Sequence, residues 1–264
     1  MPSLRRLALA TAALLALMSP AAAETPDISG HFAGIDGAFV LRDGRTGETL
    51  RHGPGHAATR FAPCSTFKIP NTAILLETGA ARDLDHVLPY DPALGLKNPD
   101  WARDQTLRSA FKVSALWYYR TMAQKAGIDA VSSVLSRLDY GNGRAGQIGR
   151  QPFWVDGTLA ISPDEQVDFL ARLHEGRLAL SERTLRLTRE AMVAEETPRW
   201  RLSAKTGACR PGGGKVSLWY IGTVERDGLA RHFALHMTDT GYDRLMARRI
   251  PMTRAILTQL GILD

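Results

Sequence analysis

The order of local patterns along the chain constrains its fold more than any single residue does. Strand-like segments lie near both ends, and helical periodicity fills the middle. Near the amino end, Gly37-Ala38-Phe39-Val40-Leu41-Arg42 and Glu48-Thr49-Leu50-Arg51 flank turn signals at Asp43-Gly44 and Gly47, which predicts a hairpin over 37–51. In the last third, Trp200–Thr206, Lys215–Val224 and Arg231–Thr238 are strand-like, the latter two joined by the turn Arg226-Asp227-Gly228. Consecutive strands on short turns pair antiparallel. Between them, Ile69, Ala73 and Leu76 predict a helix to Thr78 stopped by Gly79, and the Trp- and Tyr-rich stretch Pro99–Gly127 is helical in pattern. Ile128, Val131, Leu135 and Leu138 predict a further helix that breaks at Tyr140-Gly141-Asn142-Gly143. Ser162 reads as an N-cap, with Pro163 first in the helix and Asp164 and Glu165 in its first turn. That helix runs to His174, and Ser181 caps another. A final amphipathic helix over Pro251–Leu260 ends at Gly261. The pattern is α+β: an antiparallel sheet built from both chain ends and flanked by helices, with a mainly helical lobe from the middle and a cleft between the two.

Met1–Ala23 runs from Arg5-Arg6 through the apolar stretch Leu7–Met18 to Ala21-Ala22-Ala23, the three parts of a secretory signal. The apolar run is short for a membrane span and has no stop-transfer flank. Residues 24–264 are therefore expected to be one mature domain in the periplasm, with no membrane attachment after signal removal. The net charge of +6 includes Arg5 and Arg6, so the mature chain carries +4. That charge is spread along the sequence rather than gathered in runs, which argues against a nucleic-acid partner. Lysine is scarce, at six of the 33 basic residues, and Lys68 and Lys205 are two of them.

The chemistry centres on Pro63-Cys64-Ser65-Thr66-Phe67-Lys68-Ile69-Pro70-Asn71. Positions i and i+3 share a helix face, so Lys68 Nζ can fold back toward Ser65 Oγ as a base beside a nucleophile. A Ser in a first helical turn also lies beside free backbone N–H groups and the positive end of the helix dipole, which can hold an oxyanion. Pro70 is tolerated because so early a position forfeits little hydrogen bonding. S-x-x-K alone is weak, and Ser109-Ala110-Phe111-Lys112 is a second match that reads as a solvated helix face. Context separates them: Lys205-Thr206-Gly207 sits at the end of a strand, and Ser114-Ala115-Leu116 lies in the aromatic helical stretch. His232 and His236 alternate onto one strand face, but no third ligand has recognisable spacing, so no metal is expected. Trp101, Trp117 and Tyr118-Tyr119 read as core.

With these motifs in this order, the sequence resembles the penicillin-recognising serine enzymes, and among them the class D, oxacillinase-type β-lactamases. Ser65-Thr66-Phe67-Lys68 matches their nucleophile motif, Tyr140-Gly141-Asn142 their Y-G-N element, and Lys205-Thr206-Gly207 their K-T-G. Phe153-Trp154-Val155-Asp156-Gly157 resembles their F-W-x-x-G segment, and the S-D-N of class A is absent. The resemblance spans nearly all the mature chain and selects Ser65 over Ser109. It implies a β-lactamase/transpeptidase-like fold and hydrolysis of penicillin-type antibiotics through a Ser65 acyl-enzyme. Backbone N–H groups of Ser65 and Ala208 would form the oxyanion hole. Lys68 would be carbamylated by CO₂, with no other cofactor; burial beside Phe67, Leu116 and Trp154 favours the neutral amine this needs, and the Trp154 indole N–H suits the carbamate. Ser114 would pass a proton to the lactam nitrogen. Lys205, Thr206 and Gly207 would line the substrate side, and Arg249, twelve residues before Gly261, matches the family's carboxylate-binding arginine, with Arg248 as the fallback. One departure is Leu116, where the family's second motif usually has Val, a larger apolar group that bears on deacylation.

The shared oxyanion hole that the resemblance implies makes Ser65 and the K-T-G strand face each other. That brings together Cys64 and Cys209, the chain's only cysteines, and predicts a disulfide in an exported protein. The expected partner is a small-molecule β-lactam, bound by a monomer or homodimer. A β-lactam sensor domain and a cell-wall transpeptidase share these motifs. A sensor would normally follow transmembrane helices, and a transpeptidase would lack the F-W-x-x-G partner of a carbamate.

Overall fold

The computed structural model describes residues 26–239 and 241–263, so the segment read as a secretory signal lies outside the described residues. In chain order, β1 (Asp36–Asp43) and β2 (Thr49–His52) are followed by a single turn, α1 (Pro54–Ala57). A 3-10 turn, Cys64–Phe67, runs straight into α2 (Lys68–Glu77). The middle of the chain holds β3 (Val87–Leu88), β4 (Gln105–Thr106), α3 (Leu107–Lys112), α4 (Leu116–Ala126), α5 (Ile128–Leu138), α6 (Phe153–Asp156), α7 (Pro163–His174) and α8 (Glu182–Met192). The last third is β5 (Val193–Glu196), β6 (Trp200–Cys209), β7 (Val216–Arg226), β8 (Leu229–Asp239), α9 (Tyr242–Met246) and α10 (Arg249–Gln259).

The main sheet has the order β2-β1-β8-β7-β6-β5, with every neighbouring pair antiparallel. The two chain ends meet where β1 pairs with β8, Val40 opposite Ala234, as the α+β reading expects. Asp227 and Gly228, both at positive φ, make the two-residue turn between β7 and β8. Both faces of the sheet are covered, which is why Val216–Val224 is buried without interruption. Alternate residues serve opposite faces. Phe39, Leu218, Tyr220, Phe233 and Leu235 pack with Phe32 and with Met252, Ile256 and Leu257 of α10. Val40, Trp219, Ile221 and Ala234 join the larger core shared with the helical lobe.

Helix α2 is buried from Lys68 to Leu76 and packs against α4, α5 and α8, so it is enclosed on every side. A lysine is thereby carried into the interior. Ser162 and Ser181 cap α7 and α8 as expected, and Ser162 forms a reciprocal capping box with Glu165.

Three sequence expectations need correction. The stretch 99–127 is not one helical run: it contains β4 and breaks between α3 and α4 at Ser114, whose φ is +60°. The K-T-G does not end its strand, because β6 continues to Cys209 with Lys205 opposite Ile221 on β7. The strand β5 was not anticipated, since its exposed Val193-Ala194-Glu195-Glu196 has no apolar alternation and is held by backbone pairing to β6.

Candidate active site

Ser65 lies in the 3-10 turn, not in the α-helix that follows. With three residues per turn, positions i and i+3 eclipse, and Lys68 Nζ stands 3.0 Å from Ser65 Oγ. The turn is held from behind by a polar network that sequence patterns do not reveal. Thr66 Oγ1 donates to the Pro63 carbonyl at 2.7 Å and accepts from Gln166 Nε2 at 3.0 Å, and the Tyr140 hydroxyl donates to Gln166 Oε1 at 3.2 Å. The Y-G-N element thus braces the turn through Tyr140. Gln166 carries no motif signature, and only its full burial in α7 marks it.

Lys68 is 1% exposed, with the Tyr119 ring centroid 5.3 Å from Nζ. Burial holds its amine well below the usual lysine range, and the nearby charge of Lys205 lowers it further. Trp154 is buried and stacks on Phe67, the residue before Lys68, with centroids 5.2 Å apart. Leu116 is half-buried against the same core.

Ser114 is half-buried at the break between α3 and α4. Its left-handed backbone is unusual for serine, and such strain persists only where the surroundings impose it. Trp101 Nε1 donates to the Val113 carbonyl at 2.9 Å, and the Ala115 N–H donates to the Ala110 carbonyl at 2.9 Å. Lys205 Nζ lies 5.7 Å from the centroid of Phe111, three residues before Ser114, so β6 and the Ser114 break come together. Ser109, by contrast, is used in the capping box of α3 with Thr106, and Lys112 is exposed.

Burial, aided by the charge of Arg249, lowers Lys205 to about 7. Arg249 Nη1 donates to the Gly207 carbonyl at 3.0 Å, whereas Arg248 is exposed. Arg249 Nε is buried without a partner among the described residues. Burial also lowers Arg249 from its ordinary value. A cleft of about 940 Å³ is lined by Lys205 and Thr206 together with Arg108, Lys112, Met192 and Ile250; Ser65, Lys68 and Ser114 are not among its lining residues. Beside Ser65, Cys64 is disulfide-bonded to Cys209, with Cα atoms 5.5 Å apart. Thr206 and Ala208 are partly exposed beside it. His232 and His236 enter separate hydrogen bonds, to Thr223 Oγ1 and Ser217 Oγ respectively.

An eclipsed Ser-Lys pair where a 3-10 turn runs into a buried helix, facing a K-T-G strand, defines a penicillin-recognising serine enzyme. Accordingly, the penicillin binding protein transpeptidase domain family matches residues 37–258. Among individual proteins, the chain is 34% identical over 231 residues to β-lactamase OXA-20 of Pseudomonas aeruginosa, covering 86% of this chain and 84% of that one. It is 33% identical over 228 residues to β-lactamase OXA-48 of Klebsiella pneumoniae, covering 86% and 84%. The crystal structure of the class D β-lactamase YbXI from Nostoc superposes with a TM-score of 0.83 at 33% identity, over 90% of this chain and 99% of that one. That of the class D β-lactamase from Sebaldella termitidis does so with a TM-score of 0.83 at 32% identity, over 90% and 96%. The chain belongs to the class D serine β-lactamases.

Proposed function

We propose that this enzyme hydrolyses the β-lactam amide through an acyl-enzyme on Ser65, with Lys68 as the residue that takes up the hydroxyl proton. The observation that carries this reading is the 3.0 Å approach of Lys68 Nζ to Ser65 Oγ, with that amine buried and pushed well below the usual lysine range. Ser65 Oγ bonds to the lactam carbonyl carbon as its proton leaves toward the Lys68 side chain. The carbonyl oxygen takes up negative charge facing the N–H groups of Ser65 and Ala208. The C–N bond then breaks, and Ser114 hands a proton to the departing nitrogen. Water cleaves the resulting ester and restores Ser65. Lys205, Thr206, Gly207 and Arg249 hold the substrate carboxylate. In support, neither Lys205 nor Arg249 is paired with a carboxylate among the described residues, so a buried lysine and a partly buried arginine are left to face an incoming anion.

Class D β-lactamases generally use a carbamylated lysine. Lys68 fits that modification: reaction with CO₂ needs a neutral amine, burial pushes the Lys68 amine well down, and Nζ lies beside the Tyr119 ring in a core that includes Phe67 and Trp154. A carbamate at Nζ supplies an anionic base beside Ser65. Periplasmic location is typical of the class, and the reading of 1–23 as a cleaved signal sends the 24–264 enzyme there. Intact-mass spectra after mixing with excess penicillin test the acyl-enzyme. A transient adduct on Ser65 with continuing substrate loss is expected, and a permanent stoichiometric adduct without turnover would assign the chain a sensor's role.

A further inference from the structure

A chain of four polar side chains ends at the residue before Pro63. Asp36 Oδ1 lies 3.0 Å from His56 Nδ1, His56 Nε2 lies 2.7 Å from His236 Nδ1, and His236 Nε2 lies 3.0 Å from Ser217 Oγ. Ser217 Oγ is also 2.9 Å from the Ala62 carbonyl oxygen. Trp219 Nε1 reaches that oxygen at 2.8 Å and Ser217 Oγ at 3.0 Å. His236 is fully buried between Phe61 and Trp219, with ring centroids at 4.0 and 4.2 Å. The outer end meets solvent in a cavity of about 450 Å³ lined by Asp36, His56 and Lys215. The mechanism above uses none of these residues.

Donor and acceptor capacity fixes the direction of the chain. A carboxylate only accepts, so His56 carries its proton on Nδ1. When neutral it accepts at Nε2, so His236 carries its proton on Nδ1 and accepts at Nε2. The single hydrogen of Ser217 then points at His236, and the Ala62 oxygen receives only the Trp219 N–H. One added proton reverses the arrangement. His56, now donating at both nitrogens, leaves His236 with its proton on Nε2. His236 donates to Ser217 Oγ, and Ser217 turns its hydrogen onto the Ala62 oxygen.

The proton goes to His56, not His236. His56 faces Asp36 from β1, His236 from β8, and Lys215 from the segment before β7. Burial lowers His56, the Asp36 carboxylate raises it, and Lys215 lowers it. Burial holds His236 far lower, and a charge on His56 would add to this. The Ala62-Pro63 peptide leads directly into Cys64, at φ +52°, and Ser65. A second hydrogen bond on Ala62 therefore pins the approach to the nucleophile.

We propose that Ser217 and His236 are positioning residues for acylation, and that protonation of His56 turns the Ser217 hydroxyl onto Ala62 and steadies the Ser65 turn in acid. The kinetic consequence rests on Ser65 being the acylated residue. Single-turnover acylation by a penicillin, measured from pH 5.5 to 8 in wild type and Ser217→Ala, reads it. The wild-type to S217A rate ratio should rise about three- to tenfold toward acid, the weight of one hydrogen bond, while the limb due to Lys68 cancels. Asp36→Asn should move that rise to lower pH, Lys215→Met to higher pH, and His56→Gln should abolish it. A ratio flat with pH between folded proteins would overturn the proposal. Nitrogen-15 spectra of histidine-labelled wild type need neither turnover nor a variant. They should show the His236 proton move from Nδ1 to Nε2 as the His56 signals titrate toward acid, and a tautomer unchanged across that titration would equally overturn it. A tautomer switch without any Ser65 acylation would instead count against the acyl-enzyme reading.

Discussion

Gly207 lies so close to Pro63 that a Cβ on it would stand 2.9 Å from the Pro63 carbonyl oxygen, with Thr66 Cγ2 at 3.1 Å and Thr66 N at 3.2 Å. Strand β6 and the nucleophile turn thus meet backbone to backbone. This contact sets the spacing between the N–H groups of Ser65 and Ala208. Gly207→Ala should force the two apart and slow acylation by ~10²-fold, because misplacement of about an ångström costs that much. Stopped-flow acylation alongside equilibrium penicillin binding checks this: the rate should fall far more than the affinity.

The Cys64–Cys209 disulfide joins the same two segments across 145 residues of chain. Its removal should destabilise the protein by up to ~5 kcal/mol on the chain-entropy argument. Denaturant unfolding of Cys64→Ser/Cys209→Ser against wild type measures the loss, and an unchanged midpoint would refute it. Acylation should slow as well, since the bridge ties the left-handed backbone of Cys64, beside Ser65, to strand β6.

Carbamylation of Lys68 should make activity depend on CO₂. Stripping CO₂ or lowering the pH should reduce turnover, and bicarbonate should restore it, because the carbamate forms reversibly and is acid-labile. Carbon-13 spectra with labelled bicarbonate should show one carbamate signal that Lys68→Ala removes. Trp154→Ala should weaken the signal while leaving the fold intact. Lys68→Ala should also lose ~10²–10⁴-fold in rate, the usual weight of a general base.

Burial and the charge of Arg249 place Lys205 at about 7, so it is protonated below that pH and neutral above it. Binding of a substrate carboxylate should therefore weaken as pH rises through 7, and kcat/KM should fall by up to about tenfold per unit from this group. Lys205→Arg should flatten the profile, since a guanidinium keeps its charge. The same shift bears on stability. Between 7 and the ordinary lysine value of 10.5 the unfolded chain holds a proton that the folded chain lacks, so this group makes stability rise with pH across that window. Urea unfolding at pH 7 and 9 should show the rise, and Lys205→Met should reduce it.

Much of the site was legible because its chemistry is local. The spacing of Ser65 and Lys68, the K-T-G and the F-W-x-x-G are short-range patterns, and the Cys64–Cys209 pairing followed from the facing segments that the family motifs imply. The strand and helix periods gave the α+β arrangement, since alternation and 3.6-residue repeats reflect which face each element buries. The family motif points to Arg249 with Arg248 as the fallback, and the contact of Arg249 with Gly207 is made only by packing at the start of α10. Nor did it reveal that Ser65 occupies a 3-10 turn, that Ser114 is left-handed, or that K-T-G lies mid-strand. These are backbone choices made by contacts with distant elements.

Composition and motif alone determined which residues can react, since a hydroxyl, an amine and a pair of thiols carry their chemistry wherever they lie. Tertiary structure decided how they are tuned. Burial in the enclosed α2 pushes the Lys68 amine well down, burial beside Arg249 lowers Lys205 to about 7, and Ser217 meets His236 and Ala62 because β7, β8 and the segment before Ser65 converge. Desolvation and hydrogen-bond direction depend on every neighbour at once, and those neighbours come from segments far apart in the chain.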